Sequence, residues 1–147
     1  MKISTRGRYG TRALVDLALH EDKKPVLLKD IAKRQQISLG YLEQLIAPLI
    51  SGGILRSTRG PKGGISLAKP SEQIRMSEVI QLLEGSNFPA ECINQPEICT
   101  RSEFCAPREI WIELKSVMNG VLESTTLRDL ADRQKRKQQP EMVMYYI

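Results

Sequence analysis

The chain has 147 residues, of which 41% are hydrophobic and 27% are charged. These values are typical of one folded domain, or of a small domain with an appended arm. No apolar run approaches the roughly 20 residues that span a bilayer, and the basic N-terminus lacks the apolar segment of a secretory signal. Composition therefore excludes a membrane protein, a secreted disulfide scaffold and a collagenous or wholly disordered chain. We expect a cytoplasmic location and no membrane partner.

The charge is unevenly distributed along the chain. Residues 1–70 contain 13 Lys/Arg and 5 Asp/Glu, a net charge of +8, whereas residues 71–147 contain 9 and 12, a net charge of −3. A basic N-terminal half suits a polyanion, with nucleic acid the first choice and an anionic membrane the second. Charge alone leaves a solvated basic face as an equal alternative.

The N-terminal half carries three stretches with helical spacing of apolar residues. They predict a first helix over residues 8–21, a second over 28–35 and a third over 39–51. Ser38 is a candidate N-cap for the third helix, because its hydroxyl can accept a hydrogen bond from a free backbone N–H. Pro48 lies inside the third helix, and we expect it to bend that helix because it removes a backbone donor.

Two short runs of strand-forming residues follow, at 54–58 and 65–69. The Gly/Pro-rich sequence RGPKGG separates them, which predicts a β-hairpin. A helix, a helix–turn–helix and a hairpin in this order are typical of a winged helix. The predicted fold class is mainly α: a winged helix-turn-helix with a small hairpin wing and a long C-terminal dimerisation helix.

The C-terminal half is predicted to contain a helix over 76–84, an irregular loop over 86–107 (the cysteine loop), a long helix over 108–124 and a short helix from 127 to 133. The long helix has a wide apolar stripe that includes the only Trp. A stripe of this kind can belong to an intramolecular core, but we expect the helix to pair with its copy in a homodimer. The predicted organisation is a DNA-binding domain (1–85), the cysteine loop (86–107), the dimerisation helix with the following short helix (108–133) and a poorly ordered tail (134–147).

All three cysteines, Cys92, Cys99 and Cys105, lie in the cysteine loop. An odd count would leave one thiol outside any disulfide framework. Structural zinc prefers four Cys or His ligands, and the only histidine, His20, lies far away in the sequence. Clustered thiolates in an irregular loop favour an iron–sulfur cluster. Thiol-based redox sensing, zinc binding and no role remain as alternatives.

Several segments together resemble one family of proteins. They are KISTRGRYGTRALVDLALHE, DIAKRQQISLGYLEQLIAPLISGGIL, RSTRGPKGGISLAKP and MSEVIQLLEG, followed by the three-cysteine loop and the Trp-bearing helix. This combination resembles the dimeric winged-helix transcription regulators that include the iron–sulfur cluster regulator IscR. The resemblance covers roughly residues 1–130. It implies a homodimer that binds pseudo-palindromic double-stranded DNA and a cluster that changes operator preference.

The resemblance also implies roles for individual residues. On the recognition helix, the Gln44 amide can pair with adenine and the Glu43 carboxylate can accept from a cytosine amino group. Tyr41 could instead serve only to pack against the first helix, and Arg59 could be a solvated hairpin arginine. The implied DNA-binding residues are Ser38, Tyr41, Glu43 and Gln44 on the recognition helix, Arg59 and Gly60 at the wing tip, and Arg6, Arg8 and Tyr9 in the N-terminal segment.

The chain departs from the cluster-assembly regulator at one position that matters for the metal. That regulator has a histidine three residues after its third cysteine, where this chain has Arg108, which cannot be a ligand because it stays protonated. We expect Cys92, Cys99 and Cys105 to be ligands, with Glu103 or Glu109 as candidates for the fourth. A 2Fe-2S cluster is slightly favoured over a 4Fe-4S cluster.

The predicted function is a regulator that senses iron–sulfur status and controls genes for cluster biogenesis. The alternative is a winged-helix repressor without a cluster that senses thiol redox state or a protein partner, in cysteine metabolism or in a nitric-oxide or stress response. An enzyme is not expected, because the chain lacks a Cys-x-x-Cys pair, a Ser/His/Asp set and a phosphate-binding glycine loop.

Overall fold

The computed structural model describes residues 2–20, 22, 24–85 and 89–139. Two strands form an antiparallel hairpin, and short 3₁₀ turns lie at Ser71–Gln73, Pro96–Ile98 and Ser102–Phe104. The helices are α1 (Thr5–His20), α2 (Leu28–Gln35), α3 (Leu39–Ser51), α4 (Met76–Glu84), α5 (Glu91–Asn94), α6 (Ala106–Ser124) and α7 (Leu127–Gln138), and the strands are β1 (Leu55–Thr58) and β2 (Gly64–Leu67).

The predicted fold class is confirmed: the chain is mainly helical, with a β-hairpin after the third helix and long C-terminal helices. Helices α2, α3 and α4 begin and end at the predicted residues, and α3 continues through Pro48. Helix α1 begins three residues earlier than predicted, at Thr5. Helix α6 begins two residues earlier, at Ala106, directly after Cys105.

The core lies where α1 meets α2, α3, α4 and α7. The core consists largely of apolar residues that recur at helical intervals in the sequence. In α3 these are the residues that the periodicity predicted to face the core. The side chains that are almost fully buried are Leu14, Leu17, Ile31, Leu42, Leu45, Leu49, Ile54, Ile74, Val79 and Leu127. Burial of each such side chain contributes about 1.5–3 kcal/mol of hydrophobic free energy.

The wing consists of β1, β2 and the connecting residues 59–63. Its register pairs Leu55 with Leu67 and Thr58 with Gly64. A third extended segment joins it, because the N–H of Val26 donates to the carbonyl of Ile65 and the N–H of Ile65 donates back, both at 2.8 Å. The wing is therefore tied to the chain that enters α2.

Helix α6 connects the cysteine loop to the helical body. Its 19 residues include none that is buried. Its C-terminal end returns to the body through two backbone hydrogen bonds of 2.9 Å, from Met76 N to Thr125 O and from Leu127 N to Ile74 O. Leu127 then begins α7, whose packing against α1 makes it part of the same core.

Two parts of the C-terminal half differ from the prediction. The cysteine loop, expected to lack regular structure, contains α5 and two 3₁₀ turns within its described residues, 89–107. Residues 134–138, expected to belong to a poorly ordered tail, continue α7 to Gln138, because its inner face packs on α1. Residues 140–147 of the predicted tail lie outside the described residues. Within the described ranges, no helix has the length and hydropathy needed to cross a membrane.

Candidate functional site

The turn between α2 and α3 places the start of α3 at the surface. Gln36 closes α2 in the left-handed conformation, with φ of 54°. As predicted, Ser38 caps α3: its Oγ accepts a hydrogen bond from the N–H of Tyr41 at 3.3 Å. Leu42 and Leu45 point into the core, which leaves Glu43 and Gln44 between them exposed to solvent. The predicted base-reading residues are therefore available on an outward surface.

Tyr41 connects α3 to the first helix. Its ring meets that of Tyr9 edge to face, with ring centroids 6.2 Å apart and an interplanar angle of 79°. Both side chains are half-buried. Packing against α1, which the sequence left open as a role for Tyr41, is therefore present, and it fixes the first turn of α3 against α1.

Arg12 is a residue that the sequence reasoning missed. Its guanidinium lies 5.2 Å from the ring centroid of Tyr9, close enough for a cation–π contact. It also donates to the Gln35 carbonyl at 2.8 Å and to the Gln35 side chain at 3.2 Å. Arg12 therefore contacts both the end of α2 and the aromatic pair beside α3. Its position three residues after Tyr9, on the same side of α1, was the available signal.

The buried carboxylate of Asp16 holds the end of α2 against α1, on the inner side of the turn between α2 and α3. Asp16 is buried, and it accepts hydrogen bonds from Arg34 Nη2 at 2.7 Å and from Gln35 Nε2 at 3.0 Å. The hydrogen bond from Arg34 to Asp16 raises the pKa of Arg34 above its ordinary value. A single carboxylate in α1 thus pairs with two successive residues of α2.

The N-terminal segment is positioned by α4. Glu84 accepts hydrogen bonds from both the N–H and the hydroxyl of Ser4, at 2.9 and 2.8 Å. The two arginines that follow, Arg6 and Arg8, are exposed. Arg8 lies 5.9 Å from the ring centroid of Tyr9. The structure therefore brings Arg8 and Tyr9 together with Tyr41, as parts of one basic and aromatic surface.

The tip of the wing is exposed and sharply turned. Gly60 has φ of +103° and Arg59 before it is solvent-exposed. The N–H of Gly63 donates to the carbonyl of Gly60 at 2.9 Å. A Cβ on Gly63 would lie only 2.3 Å from the carbonyl oxygen of Thr58, so only glycine allows this approach. The sequence RGPKGG is thus a tight loop that presents the guanidinium of Arg59.

The three cysteines lie at three different places in the loop. Cys92 lies in α5, Cys99 follows the 3₁₀ turn Pro96–Ile98, and Cys105 precedes the first residue of α6. All three are free thiols and partly buried. Glu103 and Glu109, the candidates for a fourth ligand, are exposed. Within 2–20, 22, 24–85 and 89–139, no three His, Cys, Asp or Glu side chains are gathered closely enough to hold a metal ion.

The cysteine loop is attached to α6 by polar contacts. Arg108 donates from Nε to the carbonyl of Cys92 at 3.1 Å, so it acts as a structural link between the cysteine loop and α6. Lys115, two turns further along α6, donates to the side chain of Asn94. These two hydrogen bonds attach the loop around Cys92 to the first half of α6.

Comparison with known proteins identifies the relatives of this chain. The family model described as Rrf2, an iron-dependent transcriptional regulator, matches residues 3–133. The chain is 45% identical over 130 residues to protein rrf2 of Nitratidesulfovibrio vulgaris, covering 88% of this chain and 87% of the relative. It is 40% identical over 147 residues to the transcriptional regulator CymR of Bacillus subtilis, covering all of both chains.

Solved structures agree with these matches. The structure of IscR from T. potens has a TM-score of 0.80 and 37% identity, covering 99% of this chain and 97% of that one. The structure of CymR, the global cysteine regulator of B. subtilis, has a TM-score of 0.75 and 39% identity, covering 90% and 98%. The similar chains thus include an IscR and a CymR, and the CymR is described as a global cysteine regulator.

Proposed function

Because the chain belongs to the Rrf2 family of DNA-binding transcription regulators, we propose that it is a homodimeric operator-binding protein that senses iron–sulfur status through the cysteine loop. It is a regulator and not an enzyme. The observation that carries the sensing proposal is the position of Cys105 immediately before α6, the helix with the exposed apolar stripe. The same short stretch of chain is therefore both the end of the sensor and the start of the dimer helix.

The DNA contacts follow from the exposed side chains of α3 and the wing. Gln44 can present two hydrogen-bonding atoms to adenine in the major groove, and Glu43 can accept from a cytosine amino group. Arg59 at the wing tip suits a narrow and strongly negative minor groove. Arg6 and Arg8 at the start of α1 suit the phosphate backbone. The net charge of +8 on residues 1–70 supports this orientation of the protein on DNA.

The homodimer is supported by the apolar stripe of α6, which consists of Ile110, Leu114, Val117 and Val121. Ile110 is 61% exposed, and Val117 and Val121 are each 60% exposed. Trp111 beside the stripe is 43% exposed. A contiguous apolar surface of this kind on a single chain marks a protein interface. Two copies related by a twofold axis would place two winged helices on two half-sites, which predicts a pseudo-palindromic operator.

The chemistry of the donor set suits an iron–sulfur cluster, which would have to gather the three thiols around it, since no metal-ligating set is gathered among the described residues. Three free, partly buried thiols lie within 14 residues of one another, and thiolates are the usual ligands of such clusters. Cys92, Cys99 and Cys105 would hold the cluster, with Glu103 or Glu109 supplying a fourth oxygen ligand. When bound, the cluster would supply a group whose loss reports on iron shortage or oxidants. Arg108 would keep its bond to the Cys92 carbonyl and hold the loop on α6.

The signal would reach DNA through α6. Its first turn is adjacent to Cys105, and its end is bonded to the body through Thr125 and Leu127. Any ligand of the cysteine loop can shift DNA affinity only by the difference in its affinity for two arrangements of the dimer. We propose that the two arrangements of the dimer differ in the position of α6 relative to its copy. The reason is that α6 is attached at both ends and carries no buried residue.

A thiol or partner sensor is the second candidate function. It is favoured by the placement of the three cysteines at three different places in the loop, with no gathered set of metal-ligating side chains in the described parts of the chain. It is also favoured by the similarity to CymR, described as a global cysteine regulator. In this alternative, the same loop and α6 transmit the oxidation of one or more thiols, or the docking of a protein, to the winged helices.

One experiment separates the two candidates. The protein is purified without oxygen, and its visible spectrum and its iron and sulfide contents are measured. It is then used to select duplexes from a randomised DNA pool, with and without prior chelation of its iron. We expect a coloured protein with matched iron and sulfide, and an inverted repeat whose preferred sequence changes on chelation. A protein that stays colourless after reconstitution with iron and sulfide, but selects the same repeat, would replace the cluster with the thiol or partner sensor.

A further inference from the structure

We infer that a pocket between α1, the end of α2 and α7 is a binding site for a small organic anion, a carboxylate or phosphate with a short apolar part. The pocket has a volume of about 470 Å³, within the range of small-molecule sites. Its lining residues come from segments before and after the cysteine loop, and none of them belongs to that loop. It is therefore a second potential input to the same DNA-binding body.

The charge of the pocket is positive. Three cations line it, namely Arg12 from α1 and Arg133 and Lys137 from α7. The single carboxylate among the described lining residues is Asp16, which is already paired with Arg34 at 2.7 Å. Because that pairing offsets the charge of Asp16, the three cations are not neutralised within the pocket, and they attract an anion.

One wall of the pocket contains a buried polar atom without a partner. The hydroxyl of Thr11 is inaccessible to solvent and makes no hydrogen bond within the described residues. Buried hydroxyl groups are normally satisfied by protein, water or ligand. A carboxylate or phosphate oxygen held by Arg12, the residue next to Thr11, is an acceptor of the right chemistry for that hydroxyl. Because solvent does not reach the hydroxyl, the Thr11 side chain would turn toward the pocket to make this hydrogen bond.

The remaining wall is apolar and limits the kind of anion. Val15 and Leu19 from α1 and Leu130 from α7 line it, and all three are partly buried. A fully hydrated inorganic ion gains nothing from this surface, whereas a short hydrocarbon part would be removed from water there. The concave shape and the apolar wall favour a small molecule over the backbone of duplex DNA.

Occupation of the pocket would act on the helix-turn-helix through Arg12. The same guanidinium that faces the pocket donates to the Gln35 carbonyl at 2.8 Å and lies on the ring of Tyr9. An anion that draws this guanidinium into the pocket competes with both contacts, and Tyr9 in turn packs on Tyr41 of α3. The anion would therefore change DNA affinity, and DNA would change anion affinity by the same factor. This coupling rests on the proposed function, whereas the binding site itself does not.

The binding test uses the full-length protein without DNA. Sodium butyrate and inorganic phosphate are the probes, with 1-butanol and sodium chloride at matched ionic strength as controls, and thermal unfolding and amide NMR shifts are the measurements. We expect butyrate to raise the unfolding midpoint, and to shift α1 and α7 amides, at concentrations where butanol and chloride do neither. Inorganic phosphate should bind more weakly than butyrate, because it leaves the apolar wall exposed to water.

Three variants identify the site. Arg133→Gln and Lys137→Gln should each weaken butyrate binding about tenfold, the usual effect of losing one charge-assisted hydrogen bond. Thr11→Val keeps the shape of the side chain but removes the hydroxyl, and should also weaken binding. Arg136→Gln is the matched control, because it removes the same charge from the same helix turn but does not line the pocket. Equal butyrate affinity in Arg133→Gln, Lys137→Gln and Arg136→Gln would overturn the assignment.

A DNA-binding experiment tests whether Arg133 and Lys137 contact the DNA backbone instead. In buffer free of organic anions and phosphate, Arg133→Gln and Lys137→Gln should bind a selected operator as well as Arg136→Gln does. In the wild type, butyrate should change operator affinity more than chloride of equal ionic strength does. A selective loss of operator affinity in the two pocket variants, without any butyrate effect, would assign these cations to phosphate contacts and would leave the proposed regulator function intact.

Discussion

Arg34 and Asp16 form a two-pronged salt bridge, in which Arg34 Nη2 lies 2.7 Å from Asp16 Oδ2 and Arg34 Nε lies 3.0 Å from Asp16 Oδ1. The Asp16 side chain is 3% exposed and that of Arg34 is 34% exposed. Gln35 donates to the same carboxylate. Because α2 leads directly into the turn before α3, this pairing with α1 helps to fix where the predicted recognition helix begins.

We expect Asp16→Asn to destabilise the fold by about 1–3 kcal/mol. Loss of one partner of a buried pair costs about 3–5 kcal/mol, and the partial exposure of Arg34 reduces that cost through solvent screening. Urea unfolding followed by circular dichroism measures the change. Asp132→Asn is the matched control, because it breaks the exposed pair with Arg128 and should change stability by less than about 0.5 kcal/mol. Equal effects of the two variants would contradict the structural role of Asp16.

The start of α7 should contribute stability that depends on pH. Thr126 and Asp129 form a reciprocal capping pair, with Thr126 N donating to Asp129 Oδ2 at 2.9 Å and Asp129 N donating to Thr126 Oγ1 at 3.1 Å. The hydrogen bonds from Thr126 lower the pKa of Asp129 below its ordinary value of 3.8. The contribution is therefore complete above the unfolded pKa and is lost as the pH falls through the lower, folded value.

Asp129→Asn removes this dependence. The thermal midpoint of the variant should lie below that of the wild type at pH 6, and the difference should shrink as the pH is lowered from about 4 to 2, since the wild-type carboxylate is then protonated. Thermal unfolding across this pH range is the measurement. A difference that stays constant down to pH 2 would show that Asp129 stabilises α7 by another route.

Arg59→Ala should weaken operator binding about tenfold and should reduce the preference for sites with a narrow minor groove. Lys62→Ala, in the same loop of the wing, is the matched control because it removes the same charge. Lys62→Ala should leave the preference unchanged, and a variant that has lost one phosphate neutralisation should lower the salt slope by about 0.9. Fluorescence anisotropy against A·T-rich and G·C-rich versions of one selected operator measures the preference. An unchanged preference in Arg59→Ala would remove Arg59 from sequence reading.

Val117→Glu should abolish dimerisation, since it places a charge in the middle of the apolar stripe of α6. Val117 is 60% exposed in the single chain, so we expect the fold of the monomer to survive. Asn119→Glu, on the exposed polar side of the same helix, is the control and should remain dimeric. Sedimentation at micromolar concentration reads the oligomeric state. A dimeric Val117→Glu protein would place the interface elsewhere.

Cys99→Ala should abolish iron and sulfide binding by the reconstituted protein while leaving its helical content unchanged. Cys99 follows a 3₁₀ turn and is only partly buried, so its replacement disturbs little of the core. Ser102→Ala, in the same loop, is the matched control and should retain the full iron content. Iron and sulfide assays together with circular dichroism are the measurements. A Cys99→Ala protein with wild-type iron content would exclude Cys99 as a ligand.

Local sequence patterns predicted most of the secondary structure, because helix periodicity, helix caps and tight turns depend on neighbouring residues. In α3, the apolar positions Leu42, Leu45 and Leu49 recur at helical spacing, and Ser38 supplies the cap that begins the helix. The RGPKGG sequence likewise predicted the hairpin, because a tight reversal needs glycine at the position where Thr58 approaches Gly63. These features depend on residues close together in sequence.

The candidate site was predicted in part. The exposure of Glu43, Gln44 and Arg59 followed from their positions on α3 and the wing, although their contacts with DNA remain predictions. The role of Arg12 could not be read from the sequence, because it depends on Gln35 being brought to α1 by the fold. Similarly, Arg108 could be excluded as a ligand from its chemistry, but its bond to the Cys92 carbonyl depends on how the loop folds back on α6.

The sequence by itself determined the winged-helix order, the basic N-terminal half and the confinement of all three cysteines to one loop, since periodicity, charge and spacing are properties of the linear chain. Only the tertiary structure decided that α7 returns to pack on α1, and that Arg12, Arg133 and Lys137 line one pocket beside a buried, unpartnered Thr11 hydroxyl. The groups from α1 lie more than 100 residues from those of α7 along the chain. Their proximity results from burial of Leu127 and Ala131 in a shared core, which local sequence patterns do not encode.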